Sequence, residues 1–337
     1  MLAEHGGIGA SLALLVDGLP VLVAGIGRRD PDRPTPPDPG DEFHLFSIAK
    51  VFIAAAVLRL AERGSLALDS PVASVLPQPA LPDTVTLRRV LNHTAGLPDY
   101  GGLPGYRDAV RAAPDQPWLR DKFLAATIGQ HGAGPVGTFH YSNIGYLLAA
   151  MTLERATGQS LSATLQAEVF APGGAPALRL ATEFGDASGL APGWGTSLGD
   201  GREVVDVTHR YHPGWVAHGA VVGRALDAAR ALDAVLAGAV LGPASRGAMR
   251  VAVPVAGTHW LFQPPGYGLG LMCCAHGGSD RRAGHGGEGP GYSTGAICQM
   301  PDAGPRITVV ALANTERHDL GLRLAWSLVG SVNGARA

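Results

Sequence analysis

Lysine is nearly absent from this chain of 337 residues, in which only Lys50 and Lys122 of the 26 basic residues are lysine. Arginine cannot release its proton inside a protein, whereas a buried lysine can exist as the neutral amine. The chain therefore has few groups able to act as an amine base. Lys50 stands in an apolar segment, and this makes it the first candidate for proton-transfer chemistry.

Cysteine is also scarce. The three cysteines are Cys273, Cys274 and Cys298, an odd number without the spacing of metal ligands. We expect them to be small core side chains in a reducing compartment, which predicts a cytoplasmic location. The sequence predicts no metal site and no cofactor.

Long apolar runs and an excess of charge are missing as well. The apolar stretch at 8–27 is broken by Asp17-Gly18 and by Pro20, and residues 1–7 lack the basic and apolar regions of a signal peptide. The net charge of −2 gives no electrostatic reason to expect nucleic acid or an anionic membrane as a partner. We expect neither partner.

Strand patterns occupy both ends of the chain, and helical patterns occupy the middle. The predicted strands are two within 8–27, joined at Asp17-Gly18, and others at 42–46, 268–274, 282–287, 291–299 and 306–313. The predicted helices are 47–64, 86–93, 119–129, 144–157, 160–170, 224–238 and 317–330. This order predicts one α+β domain made from both termini, with a helical insertion of roughly 180 residues.

Ser47 and Lys50 begin a segment that is apolar on all faces as far as Arg59. Such a helix is typical of a buried core element, and residues at i and i+3 share one face. Burial lowers the pKa of a lysine and favours its neutral form. Ser47 is therefore a candidate nucleophile and Lys50 a candidate base. The alternative is a serine near a helix start and a lysine that reaches out of the core.

Two further segments carry candidate residues. Tyr141 and Asn143 lie where a loop meets the helix at 144, so Tyr141 could act as a base and Asn143 could orient a ligand. The alternative is that this segment only caps the helix. His285 follows Gly284 and precedes Gly286 and Gly287 at a predicted, partly exposed strand end, where glycines would let a substrate approach. The alternative there is a simple turn.

Several other patterns match known motifs, but their context is wrong. Ser197 and Ser293 each lie in a Gly-x-Ser-x-Gly sequence, yet neither has the strand before it and the helix after it that a nucleophile elbow requires. The segment 284–289 matches a dinucleotide fingerprint but is followed by Pro290 and a strand. His209, His212 and His218 lack an acidic pattern that would support a metal site.

Taken in order, Ser47-Ile-Ala-Lys50, Tyr141-Ser-Asn143 and His285-Gly-Gly287 resemble the three active-site motifs of the class C β-lactamase-like serine hydrolases. This family includes D,D-carboxypeptidases, D-aminopeptidases, esterases and acyl-transferring enzymes. Supporting matches lie at 92–98 and 267–270, and the resemblance extends from about residue 10 to the end.

The resemblance implies an architecture like that of serine β-lactamases and penicillin-binding proteins. In this fold an antiparallel five-stranded sheet is flanked by helices. The implied sheet domain comprises residues 1–68 and 256–337, and the implied helical domain comprises residues 69–255. The active site would lie in the cleft between them.

The resemblance also implies acyl transfer through Ser47, with Lys50 or Tyr141 as the base. An ammonium about 4 Å away could lower the pKa of Tyr141 toward 7, so a charged Lys50 with a phenolate at Tyr141 is one option. By the same resemblance, the backbone N–H groups of Ser47 and Glu288 would bind the oxyanion. Asn143 would hold either the acyl group or Lys50.

The leading hypothesis is thus an esterase or amidase acting on a small-molecule acyl substrate. The alternative is an acyltransferase that passes an ester or thioester to an amine or alcohol acceptor, and the third hypothesis is a non-catalytic binding module. His285 stands where β-lactamases and peptidases have a lysine that binds the substrate carboxylate. With Gly286 and Gly287, it predicts a substrate that lacks this carboxylate. Ala95 replaces a common serine, and the first helix of the family is expected to be short or missing.

Overall fold

A computed structural model describes residues 2–128, 134–199, 201–276 and 281–334 of the chain. Two predictions include residues outside these ranges. Residue 129, the expected end of one helix, lies outside the described residues, as do both ends of the predicted domain ranges, at 1 and 337.

Within the described residues the main sheet has eight strands, and all of its neighbouring strands are antiparallel. The strands of the protein are β1 Gly9–Val16, β2 Leu19–Gly27, β3 Phe43–His44, β4 Arg179–Ala181, β5 Trp194–Gly195, β6 Val205–Asp206, β7 Ala220–Gly223, β8 Val253–Pro254, β9 Pro265–Tyr267, β10 Met272–Cys274, β11 Ala283–Gly289, β12 Tyr292–Gln299 and β13 Ile307–Ala313. The order in the main sheet is β2-β1-β13-β12-β11-β10-β9-β8. The expectation of five strands is therefore wrong.

The additional strands, β8 to β10, lie at one edge of the sheet and are short. The sequence pattern predicts a single strand over 268–274, but the chain turns there. The Gly268 N–H donates to the Leu271 carbonyl over 2.8 Å, and Gly270 adopts a left-handed φ of +83°. The first four residues of the expected strand thus form the turn between β9 and β10, and only Met272–Cys274 is a strand.

A strand from each end of the chain pairs with the other inside the sheet. β1 pairs with β13 from Ala10 opposite Ala313 to Val16 opposite Ile307. β1 also pairs with β2 through the expected hairpin, which is confirmed. Asp17 and Gly18 both have positive φ, as a tight hairpin turn requires.

Helices cover the sheet and fill the middle of the chain. They are α1 Ala49–Glu62, α2 Leu87–Leu91, α3 Pro104–Ala112, α4 Arg120–Thr127, α5 Asn143–Thr157, α6 Leu161–Leu165, α7 Ala225–Ala237, α8 Pro243–Met249 and α9 Leu320–Gly334. α9 packs on β12 and β13, and α7 packs on β1 and β13. The domain limits at 68/69 and 255/256 stay a prediction.

Helix α1 is the buried helix that the sequence predicts. Its residues from Ala49 to Leu58 are all buried, and Lys50 has no exposed surface. The ring of Phe52 meets the ring of Phe170 edge to face, 5.4 Å between centroids. A 3-10 turn, Phe46–Ile48, precedes α1 and carries Ser47.

Two of the three cysteines are core side chains, as the sequence predicts. Cys273 and Cys298 are buried and all three cysteines are free. None of the helices in the described part of the chain is both long and apolar enough to cross a membrane.

Candidate active site

Ser47 lies in a tight turn between strand β3 and helix α1. The turn is tied to a second strand because the Leu45 N–H donates to the Val221 carbonyl of β7 over 2.8 Å. Phe46 adopts a left-handed φ of +45°, which is uncommon for a bulky residue. Its ring packs on Tyr211 and Tyr292. Packing therefore holds the turn in a conformation that the backbone alone disfavours.

The amine of Lys50 lies at the centre of a group of polar atoms. Its Nζ is 3.1 Å from Ser47 Oγ, 2.7 Å from Asn143 Oδ1 and 3.2 Å from His218 Nε2. Burial lowers the pKa of Lys50 to about 7, against the opposing effect of the Asp99 carboxylate. Lys50 is thus poised between its charged and neutral forms near neutral pH.

Tyr141 also contacts Ser47. Its hydroxyl donates to Ser47 Oγ over 3.0 Å, and Lys50 Nζ lies 5.0 Å from the centre of its ring. Burial raises the pKa of Tyr141 well above the usual value of a tyrosine, and the hydrogen bond with Ser47 opposes this only in part. The hydroxyl therefore keeps its proton at neutral pH.

These two pKa shifts argue against a phenolate at Tyr141 beside a charged Lys50. The attraction between the two charges could offset the ordinary pKa of tyrosine, but both groups are buried and both charged forms lose hydration. Desolvation favours the neutral form of each side chain. A neutral Lys50 and a protonated Tyr141 are what this environment supports.

Asn143 contacts Lys50 at the start of helix α5. Its backbone N–H donates to Asp99 Oδ1 over 2.8 Å, while its side-chain Oδ1 accepts from Lys50. Ser142 is the residue that caps the helix, because its Oγ accepts from the Gly145 N–H. Of the two expected roles for Asn143, the structure shows the contact with Lys50, and the role toward the acyl group stays a prediction.

His285 lies within the sheet on β11 and is only 4% exposed, so the expectation of a partly exposed strand end is wrong. Its Nε2 is 2.9 Å from the Tyr267 hydroxyl. Its Nδ1 contacts the Gly286 carbonyl, which can only accept, so Nδ1 carries the proton. Burial, reinforced by Lys50, lowers the pKa of His285 to about 3. The ring is neutral, and both of its nitrogens contact protein atoms.

Gly287 allows strand β11 to pack directly on the turn that carries Ser47. A Cβ at this position would stand 2.4 Å from the Leu45 carbonyl oxygen and 2.5 Å from Thr294 Oγ1. At Gly286 a Cβ would stand 2.9 Å from a side-chain methyl of Leu322. Only glycine fits at 287 without movement of the backbone, so the third motif sets the distance between the strand and Ser47.

Glu288 follows Gly287 and lies at the edge of the same cleft as Ser47. Its side chain is directed to the start of helix α9, where it accepts from the Asp319 N–H over 2.7 Å and contacts His318. The carboxylate is thus occupied by these contacts. The resemblance gives the role at the oxyanion to the backbone N–H of Glu288 and not to its side chain.

The cleft at Ser47 has a volume of about 240 Å³. Aromatic rings form much of its wall. Its lining comprises Phe46, Ser47, Tyr100, Gly101, Tyr106, Asn143, Tyr211, Trp215, Val216, His218, Glu288, Gly289 and Pro290. A second cavity of about 230 Å³ lies beside Tyr141 and His285 and is lined by Phe139, Val255, Phe262 and Met272, among others.

Sequence reasoning missed three residues around the reactive group. His218 contacts Lys50, Asp99 holds the start of α5, and His93 packs against Tyr141. His218 had been considered only as a metal ligand. The one available signal was His93, which lies in the supporting segment 92–98.

The competing motifs are not built as their chemistry requires. Ser197 Oγ donates to Glu316 in a loop, and Ser293 Oγ accepts from the Gly321 N–H inside the sheet. The segment 284–289 is a strand throughout. His212 contacts Glu183 while His218 contacts Lys50, so these histidines do not share a site.

The sequence model of the Beta-lactamase family matches residues 1–331. The chain belongs to this family. Among curated relatives, it is 34% identical over 175 residues to penicillin-binding protein 4 of Amycolatopsis lactamdurans, a match of 50% of this chain and 44% of the relative. It is 38% identical over 160 residues to esterase EstB of Burkholderia gladioli, a match of 44% of this chain and 40% of the esterase.

Solved structures of similar fold cover the whole family domain. The D-amino acid amidase of Ochrobactrum anthropi SV3, complexed with L-phenylalanine, matches 99% of this chain and 97% of the amidase, with a TM-score of 0.81 and 23% identity. This similarity shows the fold, a mixed α/β architecture like that of penicillin-binding proteins. The match to the two curated relatives spans less than half of their length.

Proposed function

We propose that this protein is a serine hydrolase that cleaves an ester or an amide through a covalent acyl intermediate on Ser47. The observation that carries the proposal is the position of Ser47 Oγ, 3.1 Å from Lys50 Nζ and 3.0 Å from the Tyr141 hydroxyl. A serine needs an adjacent base to attack a carbonyl at neutral pH. Membership of the Beta-lactamase family and the names of the relatives, an esterase and an amidase among them, support the same class of reaction.

Lys50 is the base in this proposal, because its pKa of about 7 leaves a large neutral fraction near neutral pH. Ser47 Oγ bonds to the carbonyl carbon while its proton passes to Lys50 Nζ. The tetrahedral intermediate then expels the leaving oxygen or nitrogen, which takes this proton from the Lys50 ammonium. The Tyr141 hydroxyl stands beside the reacting atoms as a hydrogen-bond donor.

Water completes the cycle. It adds to the acyl carbon as its proton passes to the neutral Lys50, and the proton returns to Ser47 Oγ when the acid leaves. An amine or alcohol acceptor could take the place of water with the same residues and the same proton balance. Hydrolysis and acyl transfer therefore differ only in whether water or another acceptor attacks the acyl group. A test must offer the enzyme both water and an amine.

The backbone N–H groups of Ser47 and Glu288 are the proposed donors to the oxyanion. Ser47 lies in the turn before α1, where N–H groups have no partner inside the helix. Strand β10 pairs with β11 only at Ala283 and Gly284, so Glu288 has a strand neighbour on one side only. Fixed donors of this kind stabilise a developing negative charge.

A neutral His285 supports a substrate without a carboxylate next to the scissile bond. The lysine at this position in β-lactamases supplies a positive charge, whereas His285 has a pKa lowered to about 3 by burial and Lys50. We therefore propose uncharged esters, amides or thioesters as the substrate class.

Hydrolysis of 4-nitrophenyl acetate, with and without an added amine, tests the proposal. We expect turnover by the wild type and a loss of at least about 10³-fold in Ser47→Ala. Ser197→Ala is the matched control, because it removes a serine from another Gly-x-Ser-x-Gly sequence. Product analysis in the presence of the amine shows whether the acyl group passes to water or to the acceptor. No turnover with any ester or amide would favour a non-catalytic module.

A further inference from the structure

Lys50 Nζ contacts three atoms that can accept a hydrogen bond, and this number can be compared with the number of N–H groups on the amine. A neutral lysine amine has two N–H donors and one lone pair, whereas an ammonium has three donors. Asn143 Oδ1 at 2.7 Å and His218 Nε2 at 3.2 Å can take the two N–H groups of the neutral amine. The lone pair is then directed to the third neighbour, Ser47 Oγ at 3.1 Å.

The same contacts suit the charged form that follows proton transfer. Once Lys50 has taken the proton from Ser47, its three N–H groups have three acceptors in place. No carboxylate in the described part of the chain is in direct contact with Nζ. Asp99 acts from a distance, since its Oδ1 accepts from the backbone of Asn143. Neutral acceptors thus stabilise the ammonium less than a carboxylate would, so Lys50 can still release the proton.

The fold brings His218 to this position through the strands beside Ser47. His218 precedes β7, and the N–H of Leu45, two residues before Ser47, donates to Val221 in that strand. Gly219, with a φ of +108°, makes the bend between His218 and β7. The position of His218 relative to Lys50 is therefore set by the same pairing that holds the Ser47 turn.

The ring of His218 is suited to accept a hydrogen bond. It is 3% exposed, and burial together with the charge of Lys50 lowers its pKa well below the usual value, so it is neutral. Its Nδ1 has no hydrogen-bond partner among the described protein atoms. Acceptance of a hydrogen bond at Nε2 requires that the proton of the neutral ring is on Nδ1. The contact with Lys50 is thus the polar interaction that this imidazole makes.

We propose that His218 is a positioning residue that orients the lone pair of neutral Lys50 toward Ser47 and stabilises the ammonium formed in acylation. This inference rests on the proposed role of Lys50 as the base. The other titratable groups around Lys50 are Asp99, Tyr141, Tyr146, His93 and His285. Tests must therefore leave these groups unchanged.

The pH profile of Ser47 modification by a fluorophosphonate probe tests this role. Loss of an acceptor destabilises the ammonium, so His218→Phe should lower the pKa of Lys50 and move the acidic limb of the profile down by about one pH unit. The rate at the plateau should fall by about 10-fold or more, because the lone pair is no longer oriented. His218→Gln, whose amide oxygen can accept from Lys50, should restore part of the rate and return the limb toward the wild type.

His44→Phe is the matched control, because His44 is also buried with a nitrogen that lacks a partner among the described atoms, and it does not contact Lys50. It should change stability without moving the acidic limb. A folded His218→Phe variant with the wild-type limb and rate would overturn the role of His218, and so would a His218→Gln variant that behaves like His218→Phe. A wild type in which the probe does not label Ser47 would overturn the proposed function, and the role with it.

Discussion

The imidazole of His93 lies against the ring of Tyr141, with 4.3 Å between the ring centroids. His93 also holds the backbone on both sides of Tyr141. Its carbonyl accepts from the His140 N–H over 2.7 Å, and its Nδ1 accepts from the Ser142 N–H over 3.1 Å. To make these contacts, His93 adopts a left-handed φ of +59°. His93 therefore fixes the Tyr141 hydroxyl relative to Ser47.

Replacement of His93 by Phe should slow the reaction of Ser47. The variant keeps a ring beside Tyr141 but loses the acceptor for Ser142, so the hydroxyl shifts, and we expect labelling by a fluorophosphonate to slow by about 10- to 100-fold. His212→Phe is the control, because it removes the same kind of Nδ1 acceptor from another loop, at Gly214. Unchanged labelling in a folded His93→Phe protein would show that Tyr141 needs no such support.

The buried Lys50 should make stability depend on pH in a defined window. Its pKa is about 7 in the folded protein and near 10.5 when unfolded, so the unfolded state binds more protons between these values. The destabilising effect of burying Lys50 is therefore complete below pH 7 and disappears as the pH rises toward 10.5. Relative to Lys50→Met, the wild type should gain stability from pH 7 to pH 10.

Chemical unfolding of both proteins at several pH values measures this difference. The comparison cancels the other groups that titrate at high pH, since both proteins share them. A difference in the free energy of unfolding that stays constant between pH 7 and pH 10 would mean that the pKa of Lys50 is not lowered. Lys50 would then stay charged, and the assignment of the base would have to change.

Gly287→Ala should impair the site more than the fold. The added Cβ would meet the Leu45 carbonyl and Thr294 Oγ1, so strand β11 must move away from the turn at Ser47. We expect a fall of about 10- to 100-fold in kcat/KM for an activated ester. Gly247→Ala is the control, because no atom lies within 4 Å of a Cβ built at that helical position. Equal activity of the two variants would show that the spacing between β11 and the turn has no part in the reaction.

Sequence patterns were sufficient for the residues that lie in continuous motifs. Ser47 and Lys50 lie three residues apart at the start of an apolar segment, and the burial that this segment predicts for Lys50 is confirmed. Tyr141 was identified through the order of three motifs. Such local patterns carry information because helix periodicity and capping depend on near neighbours.

The remaining features depend on contacts between distant segments. His218 lies 168 positions from Lys50, and no local pattern marks that contact. The glycines around His285 predict exposure, but the rings of Tyr141 and Tyr267 pack beside the imidazole, so the histidine is buried. The number of strands was wrong for a related reason, because the short edge strands β8 to β10 give no clear periodic signal.

Penicillins and cephalosporins should be poor substrates. They carry a carboxylate that a neutral, buried His285 cannot pair with as a lysine would. We expect kcat/KM for a chromogenic cephalosporin to be at least about 10²-fold below that for a neutral activated ester. Cephalosporin hydrolysis at about 10⁴ M⁻¹s⁻¹ or faster would instead make the protein a β-lactamase.

Mass spectrometry of the protein after treatment with a fluorophosphonate decides whether Ser47 is the nucleophile. We expect one phosphonyl group per chain, located by peptide mapping on Ser47, with faster labelling as the pH rises through about 7 as Lys50 loses its proton. Lys50→Arg should abolish most of this labelling, because arginine keeps the charge and cannot accept the proton. A label on Ser197 or Ser293, or labelling of Ser47 that is unaffected by Lys50→Arg, would contradict the proposed mechanism.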